Sequence, residues 1–286
     1  MLRLRVEDFT NLCAIINLSL ISNKERIMKT DQVQKLINDI VKCGLENVKS
    51  KDSECHTIWQ AQGCSSLDEF HVPEPWNGDI ANAELLFISI NPGYTANELY
   101  PRKGYDWWID GNGQLLDERI NDFFSNRFSS QNGYVKSENG RKFSIRMEDG
   151  SYKRLKGVSF WSDVHNIARI VLNRDVQIGK DYAITEIIHC KTRTENGVNR
   201  KCYEQCLTKW FNQILDVAKN VRSIVVVGKN PRDYVGRFLQ IENPQCYKWY
   251  ECTTLFGRNY KLLFVDHHAA RKPGRNERIV NCVKKS

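Results

Sequence analysis

Four short runs of apolar residues constrain the fold of this chain more than any other feature of its sequence. Each run has the length of one strand that is buried on both faces, and segments with helical spacing of apolar residues lie around them. Strands that alternate with helices form right-handed crossovers, which make the strands parallel and cover the sheet on both faces. The sequence therefore predicts an α/β fold, a three-layer αβα architecture with a central four-stranded, mostly parallel sheet. The predicted strands are residues 85–90, 182–189, 223–227 and 262–265, and the predicted helices are 33–48, 160–172 and 203–218.

The domain organisation is predicted to be simple, with one domain over residues 28–286. Met28 opens a more ordinary start than Met1, because Asp31 is a suitable N-cap for the first predicted helix. We therefore expect residues 1–27 to be an extension or a mis-assigned start. Turn signals at Asn139-Gly140 and Asp149-Gly150 predict a polar hairpin inserted near residues 129–157.

The ten cysteines make it necessary to ask whether the protein belongs to an oxidising compartment, where disulfides form, or to a reducing one. Residues 12–21 make a poor export signal, since polar residues interrupt them and no small-residue cleavage site follows. No apolar stretch approaches the roughly 20 residues that a membrane span needs. We therefore expect a soluble, cytoplasmic, monomeric protein without a membrane partner, in which the cysteines are reduced thiols or metal ligands. The net charge of +8 is compatible with nucleic acid, with anionic lipid or with neither.

Unusual residues follow each of the four predicted strands. In open parallel sheets, ligands bind beyond the carboxyl ends of the strands. Polar and conformationally special residues at four such ends together indicate a site, although each alone is also typical of an ordinary turn or loop. They are Asn91-Pro92-Gly93, His189-Cys190-Lys191, Gly228-Lys229 and His267-His268.

Three of these segments resemble motifs of the uracil-DNA glycosylase superfamily. Ser-Ile-Asn-Pro-Gly at 89–93 is similar to the first motif, in the form found in the mismatch-specific branch. His-His-Ala-Ala at 267–270 resembles the second motif. Ile-Thr-Glu-Ile-Ile-His-Cys at 184–190 resembles a strand of the iron–sulfur-containing branch. The resemblance covers roughly residues 55–275 and rests on the order and spacing of short motifs.

The resemblance implies a monofunctional DNA glycosylase that hydrolyses the N-glycosidic bond of a damaged or deaminated base, uracil or a related base, in DNA repair. Asn91 would orient the attacking water, and His267 would donate to the departing base or hold the neighbouring phosphate. The backbone at Gly93 would approach the substrate closely. The resemblance also implies that Tyr100 and Tyr105 stack on the base, with core packing as the alternative. Phosphate binding is implied for Arg271, Lys272 and Arg275, with a solvated basic loop as the alternative.

Glu186 departs from the family pattern, which has asparagine at this point to read the pairing edge of the base. A carboxylate accepts hydrogen bonds but cannot donate one to the O4 atom of uracil. Glu186 is therefore expected to favour a base that presents donors, or else to be protonated by burial. An ion pair with a nearby arginine or lysine is the structural alternative.

The cysteines indicate a metal centre by the same resemblance. Cys190 and Cys206 have the separation of two cluster ligands, and Cys55 and Cys64 lie in the region of the other two. A structural [4Fe–4S] cluster on these four is expected, with zinc at the same residues or ordinary buried thiols as alternatives, and with Cys202 as a stand-in ligand. No Walker or Rossmann motif occurs, so no nucleotide cofactor is expected.

Two other functions remain open at this point. A glycosylase-like domain that binds damaged or single-stranded DNA without cutting it would use the same aromatic and basic residues. A different α/β enzyme acting on a free nucleotide or nucleoside would also place its site at the strand ends.

Overall fold

The computed structural model describes residues 30–48, 50–51, 53–154, 159–192, 195, 197–253, 257–270 and 273–285. The prediction for residues 1–27 therefore lies outside the described residues. The helices are α1 (30–47), α2 (Cys55–Gln62), α3 (Asp117–Asn126), α4 (Ser159–Leu172), α5 (Arg200–Val217), α6 (Lys229–Phe238) and α7 (Arg275–Lys284). The strands are β1 (Trp76–Asn77), β2 (Leu85–Ser89), β3 (Val135–Glu138), β4 (Lys142–Arg146), β5 (Tyr152–Arg154), β6 (Tyr182–Glu186), β7 (Ser223–Val227), β8 (Trp249–Thr253) and β9 (Asn259–Val265).

The main sheet is mixed and has six strands in the order β1-β6-β2-β7-β9-β8. Its inner strands β6, β2, β7 and β9 are parallel to one another, whereas the edge strands β1 and β8 are antiparallel to β6 and β9. The α/β prediction is confirmed, but the predicted number of strands was too low. The sequence analysis missed β1 because it has only two residues, and it missed β8 because this edge strand is half exposed and has no continuous apolar run.

Both faces of the inner strands are buried, and this is why their sequences read as continuous apolar runs. All five residues of β2 and all five of β6 are buried. Successive side chains point to opposite faces, so Leu86 and Ile88 enter one core and Leu85 and Phe87 enter another. The first core also contains residues of α1, α2, α3, α5 and α6, and the second contains residues of α4 and α7. We call the side of the sheet that packs on α4 and α7 the α4 face.

The polar segment at 129–157 contains a small antiparallel sheet in the order β3-β4-β5. Asn139 and Gly140, which link β3 to β4, both have positive φ, of 50° and 69°. The Arg141 N–H donates to the Glu138 carbonyl across them, so they form the centre of a tight turn of the kind that an Asn-Gly pair favours, while Glu138 pairs in register with Lys142. The sheet has its own core of Val135, Phe143, Ile145 and Met147, which packs against Trp161 of α4.

None of the helices in the described segments combines the length and the apolar character that crossing a bilayer requires.

Candidate functional site

Asn91 and His267 follow two strands that end at the same edge of the sheet. Ile88 of β2 is paired with Val226 of β7, and Val226 is paired with Phe264 of β9, so these three residues form one row across the sheet. Asn91 and His267 each lie three positions beyond this row. Two strand spacings separate β2 from β9, which amounts to about 10 Å. Both residues therefore stand at the same level beyond the carboxyl edge, on either side of the end of β7.

His267 is directed to the α4 face. It continues the alternation of Leu263 and Val265, both of which lie in the core on that face. Its ring stacks on Phe160 of α4, with centroids 5.8 Å apart and an interplanar angle of 16°. Burial, followed by the positive charges that His268 and Arg275 can carry, lowers the pKa of His267 to about 4. The imidazole is therefore neutral near pH 7.

The neutral imidazole of His267 carries its proton on a particular nitrogen. The backbone N–H of Ala269 donates to Nδ1 of His267 over 3.3 Å. A nitrogen that accepts cannot also carry the proton, so this contact assigns the Nε2–H tautomer. His267 thus offers one neutral hydrogen-bond donor.

The Asn91 side chain is held in one orientation. Its Nδ2 donates to Thr192 Oγ1 over 2.8 Å and to the Pro92 carbonyl over 3.3 Å. Backbone hydrogen bonds from Tyr94 to Thr192 and from Thr192 to Pro92 fix the loop beside the segment that follows β6. Because both side-chain bonds use the amide nitrogen, the Oδ1 atom is left to accept from a water or a ligand.

Gly93 lies at the exposed tip of this loop. A Cβ atom placed there would meet no other atom within 4 Å, so the space around it is open. Its φ is not positive, and the backbone conformation therefore does not itself require glycine. The open space is compatible with the close approach of a substrate that the motif implies.

Glu186 ends β6 and is paired in register with Ser89 of β2. It has the same alternation as Tyr182 and Ile184, which places it on the α4 face together with Ser89. The side chain is buried, and burial followed by the charge of Glu74 raises its pKa well above the usual range. The Ser89 side chain hydrogen-bonds to the carboxyl, and Oε2 has no hydrogen-bond partner among the described residues.

A network of four buried charges lies beside Glu186. Arg127 binds Glu74 over 2.8 Å and also binds Glu98, while the Lys191 ammonium lies 3.3 Å from Glu74 and 3.5 Å from Glu98. Burial opposes ionisation of Glu74, yet Lys191 and Arg127 hold its pKa at about 2. The network therefore contains two carboxylates and two cations and is neutral as a whole. The sequence analysis missed it because its members are scattered along the chain and share no spacing.

Tyr100 and Tyr105 occupy different environments. Tyr100 is fully buried, with the His71 ring stacked 5.1 Å away and the Lys191 ammonium 3.9 Å from its ring centroid. This is the core packing that the sequence analysis kept as the alternative to base stacking. Tyr105 is half-buried, and its hydroxyl donates to the Glu148 carbonyl over 3.3 Å. Tyr94, which is half-buried directly after Gly93, lies closer to the strand end and was overlooked; its ring is tilted by 39° against the His71 ring, with centroids 4.7 Å apart.

The predicted phosphate-binding residues differ in what can be said of them. Arg271 and Lys272 lie outside the described residues. Arg275 is only 9% exposed; its guanidinium pairs with Asp163 of α4, and its Nε donates to the Asp266 carbonyl over 2.8 Å. It therefore ties α7 to α4, and the expectation that it grips phosphate is corrected. An arginine at the first position of a helix can face inward, which spacing alone does not reveal.

The predicted cluster ligands are only partly brought together. Cys55 and Cys190 form a thiol hydrogen bond, which lowers the pKa of Cys55 to about 7. The pKa of Cys190 is raised by Cys55, by burial, by Cys206 and by Cys43. The Cys64 thiol lies 3.6 Å from Gln62 Oε1, and burial raises its pKa, so its membership of the four-cysteine set stays a prediction. Cys43 of α1 is in the neighbourhood as well.

No three His, Cys, Asp or Glu side chains in the described part of the chain are arranged to hold a metal ion. Cys202, the stand-in ligand, is buried on the same helix as Cys206, and its thiol contacts the Glu54 carbonyl at 3.5 Å. The thiols thus share a neighbourhood, without the geometry of a metal centre.

Two open clefts are relevant to the location of the site. A cleft of about 520 Å³ lies at the β9 end of the carboxyl edge, lined among others by Arg232, Arg278 and Asp266, the residue before His267. This volume is within the range of small-ligand sites. A larger groove of about 1480 Å³ is lined by residues 177–180 and the β3–β5 sheet, at the opposite edge. By size alone, the larger groove would be the better candidate for a binding site. We assign the site to the carboxyl edge because the polar residues that follow the strands lie there.

Comparison with known proteins identifies no family: no family model matches the chain, and no curated protein matches it in sequence. What the site does must therefore be inferred from its own residues.

Proposed function

We propose that this protein is a DNA glycosylase, a hydrolase that cleaves the N-glycosidic bond between a damaged or deaminated base and its sugar. One observation carries the proposal. Asn91, Glu186 and His267 come from three different strands to the carboxyl edge of the sheet, where ligands bind in open α/β folds. An oriented amide, a buried carboxyl and a neutral imidazole donor are the groups that this hydrolysis needs.

Two residues of the site would take different parts in the reaction, His267 at the leaving base and Asn91 at the attacking water. As the bond breaks, the sugar gains oxocarbenium character and the base leaves with negative charge on its carbonyl oxygens. The Nε2–H of His267 would donate to that developing charge. The Oδ1 atom of Asn91 would accept from the attacking water and hold it against the sugar. An amide is a weaker activator than a carboxylate, so we expect slow turnover.

Duplex DNA would reach this edge with the target base flipped out of the helix. Arg232 and Arg278 line the adjacent cleft and can contact phosphates. Tyr94 replaces Tyr100 as the ring we assign to the base, because it is half-exposed beside Gly93. Helices cover both sides of the sheet, which supports the three-layer αβα architecture of the family. We further propose that residues 28–286 form one domain and that the protein acts inside the cell as a monomer.

We also retain a structural [4Fe–4S] cluster as part of the proposal, with Cys43, Cys55, Cys190 and Cys206 as its ligands. The burial of Cys55, Cys190 and Cys206 in one core supports this set, and binding would replace the hydrogen bond between Cys55 and Cys190. Such a cluster would tie α1 and α2 to the segment after β6.

The proposed [4Fe–4S] cluster can be tested by measuring the metal content of the protein. Iron and sulfide are measured in protein purified without oxygen, together with the visible absorbance spectrum. Cys43→Ser should lower the iron content and Cys64→Ser, its matched control, should not. Iron-free, colourless wild-type protein would refute the cluster.

The glycosylase proposal is tested with fluorescent oligonucleotides that carry uracil, hypoxanthine, xanthine or mismatched thymine. Formation of abasic sites is expected in wild type and should fall sharply in Asn91→Ala, while Asn126→Ala, an exposed asparagine of α3, serves as the control. Binding without cleavage would favour a non-catalytic DNA-binding protein. Turnover of free nucleosides without DNA affinity would instead indicate the third candidate, an enzyme on small substrates.

A further inference from the structure

The inserted sheet β3–β5 contributes no residue to the site proposed above. One of its sides forms its own small core, in which the Phe143 ring lies 5.5 Å from the Trp161 ring of α4. Residues of this sheet also line the groove of about 1480 Å³, together with residues 177–180. We call this groove the hairpin groove. Its volume exceeds that of ordinary small-ligand sites, so it has room for a segment of a polymer.

The side of the inserted sheet that faces away from the small core carries cations. Phe143 and Ile145 point into that core, so Ser144 between them points to the other side. Ser144 is paired in register with Lys136 on one neighbouring strand and with Arg154 on the other. Strands lie about 4.8 Å apart, so the two cations of this row start roughly 10 Å from each other. Lys136 and Ser144 line the hairpin groove.

The hairpin groove as a whole holds more cations than carboxylates. Two of its carboxylates are paired, Glu138 with Lys142 over 3.0 Å and Asp175 with Arg169 over 2.9 Å. The third, Asp79, accepts a hydrogen bond from Asn82 over 2.7 Å. Three more cations line the groove, all of them exposed, and within the described residues none of the three forms an ion pair: Lys136, Arg141 and Lys180.

Unpaired cations that are gathered in one groove repel one another, so their grouping does not help the chain to fold. A bound polyanion would remove this repulsion and would release its own counterions on binding. A flat anionic membrane would reach only the rim of a concave surface. The charge and the shape of the hairpin groove therefore favour an extended anionic polymer.

Tyr152 indicates which polymer fits. Its ring lines the hairpin groove, and its hydroxyl donates to the Gly133 carbonyl over 2.6 Å, which fixes the ring in place. The Lys136 ammonium lies 3.6 Å from the ring centroid. A cation for the phosphate beside an aromatic ring for the base is the combination found where proteins bind single strands. In a duplex the bases remain stacked inside and cannot use the ring.

We propose that the hairpin groove binds single-stranded nucleic acid, with Lys136, Arg141 and Lys180 at the phosphates and the Tyr152 ring against a base. This goes beyond the proposed function, because the groove lies at the edge of the main sheet opposite to the candidate site and binding there requires no excision.

The test measures the affinity of the full chain for an undamaged, fluorescent oligothymidylate of about 16 nucleotides. Fluorescence anisotropy is recorded over a series of salt concentrations. The groove variant combines Lys136→Gln, Arg141→Gln and Lys180→Gln. The control variant makes the same change in net charge at exposed lysines that do not line the groove, by combining Lys35→Gln, Lys42→Gln and Lys261→Gln.

We expect the groove variant to bind at least about tenfold more weakly than wild type at low salt. The slope of log affinity against log salt should become shallower by about 2, since each phosphate contact on a single strand contributes roughly 0.7. The control variant should keep the wild-type slope. Tyr152→Leu should weaken binding about fivefold or more, whereas Tyr152→Phe, which keeps the ring, should stay within about twofold. Thermal melting shows that each variant is folded, and the groove variant decides the test if Tyr152→Leu is not.

Several results would overturn the proposal. They are equal affinities of wild type and the groove variant, no binding of the oligothymidylate at all, and binding of an undamaged duplex as tight as that of the single strand. Displacement of the strand by polyglutamate as readily as by unlabelled oligothymidylate would indicate an acidic protein partner instead. Binding to phosphatidylserine vesicles without binding to the strand would indicate a membrane. None of these results depends on excision, so the glycosylase proposal stands or fails separately.

Discussion

The buried network of Glu74, Glu98, Arg127 and Lys191 makes a sharp prediction about stability. Replacing Arg127 by methionine preserves much of its apolar volume but leaves two buried carboxylates facing one lysine. Removing one partner from a buried ion pair costs roughly 3–5 kcal/mol, because the remaining charge is uncompensated. We therefore expect Arg127→Met to be among the most destabilising substitutions that do not touch the proposed chemistry.

The dependence of stability on pH in the acid range gives a second measure of how much the network contributes to the folding free energy. The pKa of Glu74 is about 2 in the folded protein against a reference value of 4.5. At about 1.4 kcal/mol per pKa unit, this difference corresponds to about 3 kcal/mol of folding free energy. Because the folded pKa is the lower one, this contribution is present above pH 4.5 and is lost as the pH falls through about 2. This figure is the net effect of Lys191, Arg127 and Asn77 against burial, so it measures the network as a whole and not Arg127 alone.

The assay is urea unfolding followed by tryptophan fluorescence, with thermal melting alongside. Arg174→Met is the matched control, because Arg174 also bridges two carboxylates, Glu84 and Asp181, but its side chain is 40% exposed. The control should cost less than about 1 kcal/mol. For Arg127→Met, a fall of the melting midpoint by roughly 6–20 °C is expected for a domain of this size. Equal losses in the two variants would refute the reasoning.

Three further predictions concern the site. If neutral His267 takes part in excision by the proposed glycosylase, its contribution to the excision rate should not change between pH 6 and 8 and should be lost as the pH falls through about 4, the pKa of His267 in the folded protein. A pH–rate profile checks this, and a decline centred near pH 6.5 would contradict the buried environment of His267. Thr192→Val should slow excision about threefold to tenfold with little change in melting temperature, because it removes the acceptor that orients Asn91; an unchanged rate would show that this contact has no role. Arg275→Met should lower the free energy of unfolding by about 2 kcal/mol, measured in urea, without changing the salt dependence of DNA affinity; the opposite result would restore Arg275 as a phosphate contact.

The sequence by itself determined the inner strands and the edge of the sheet at which to look for a site. Strands β2, β6 and β7 and residues 262–265 of β9 are buried on both faces, so their apolar runs could be recognised without knowledge of any neighbour. Strands β1 and β8 were not, because an edge strand is defined by its partner more than by its composition.

Only the tertiary structure decided which side chains meet, because contacts between distant segments depend on packing and not on spacing. Asn91 and His267 were chosen as strand-end residues, but their common row and the bond to Thr192 come from the register of the sheet. Cys43 acts on the pKa of Cys190 and of Cys206, a proximity that spacing along the chain does not indicate, because α1 packs on the same core as α5. Burial followed by the charge of Glu74 raises the pKa of Glu186, and this neighbour, 112 positions away in the chain, is not indicated by any local pattern.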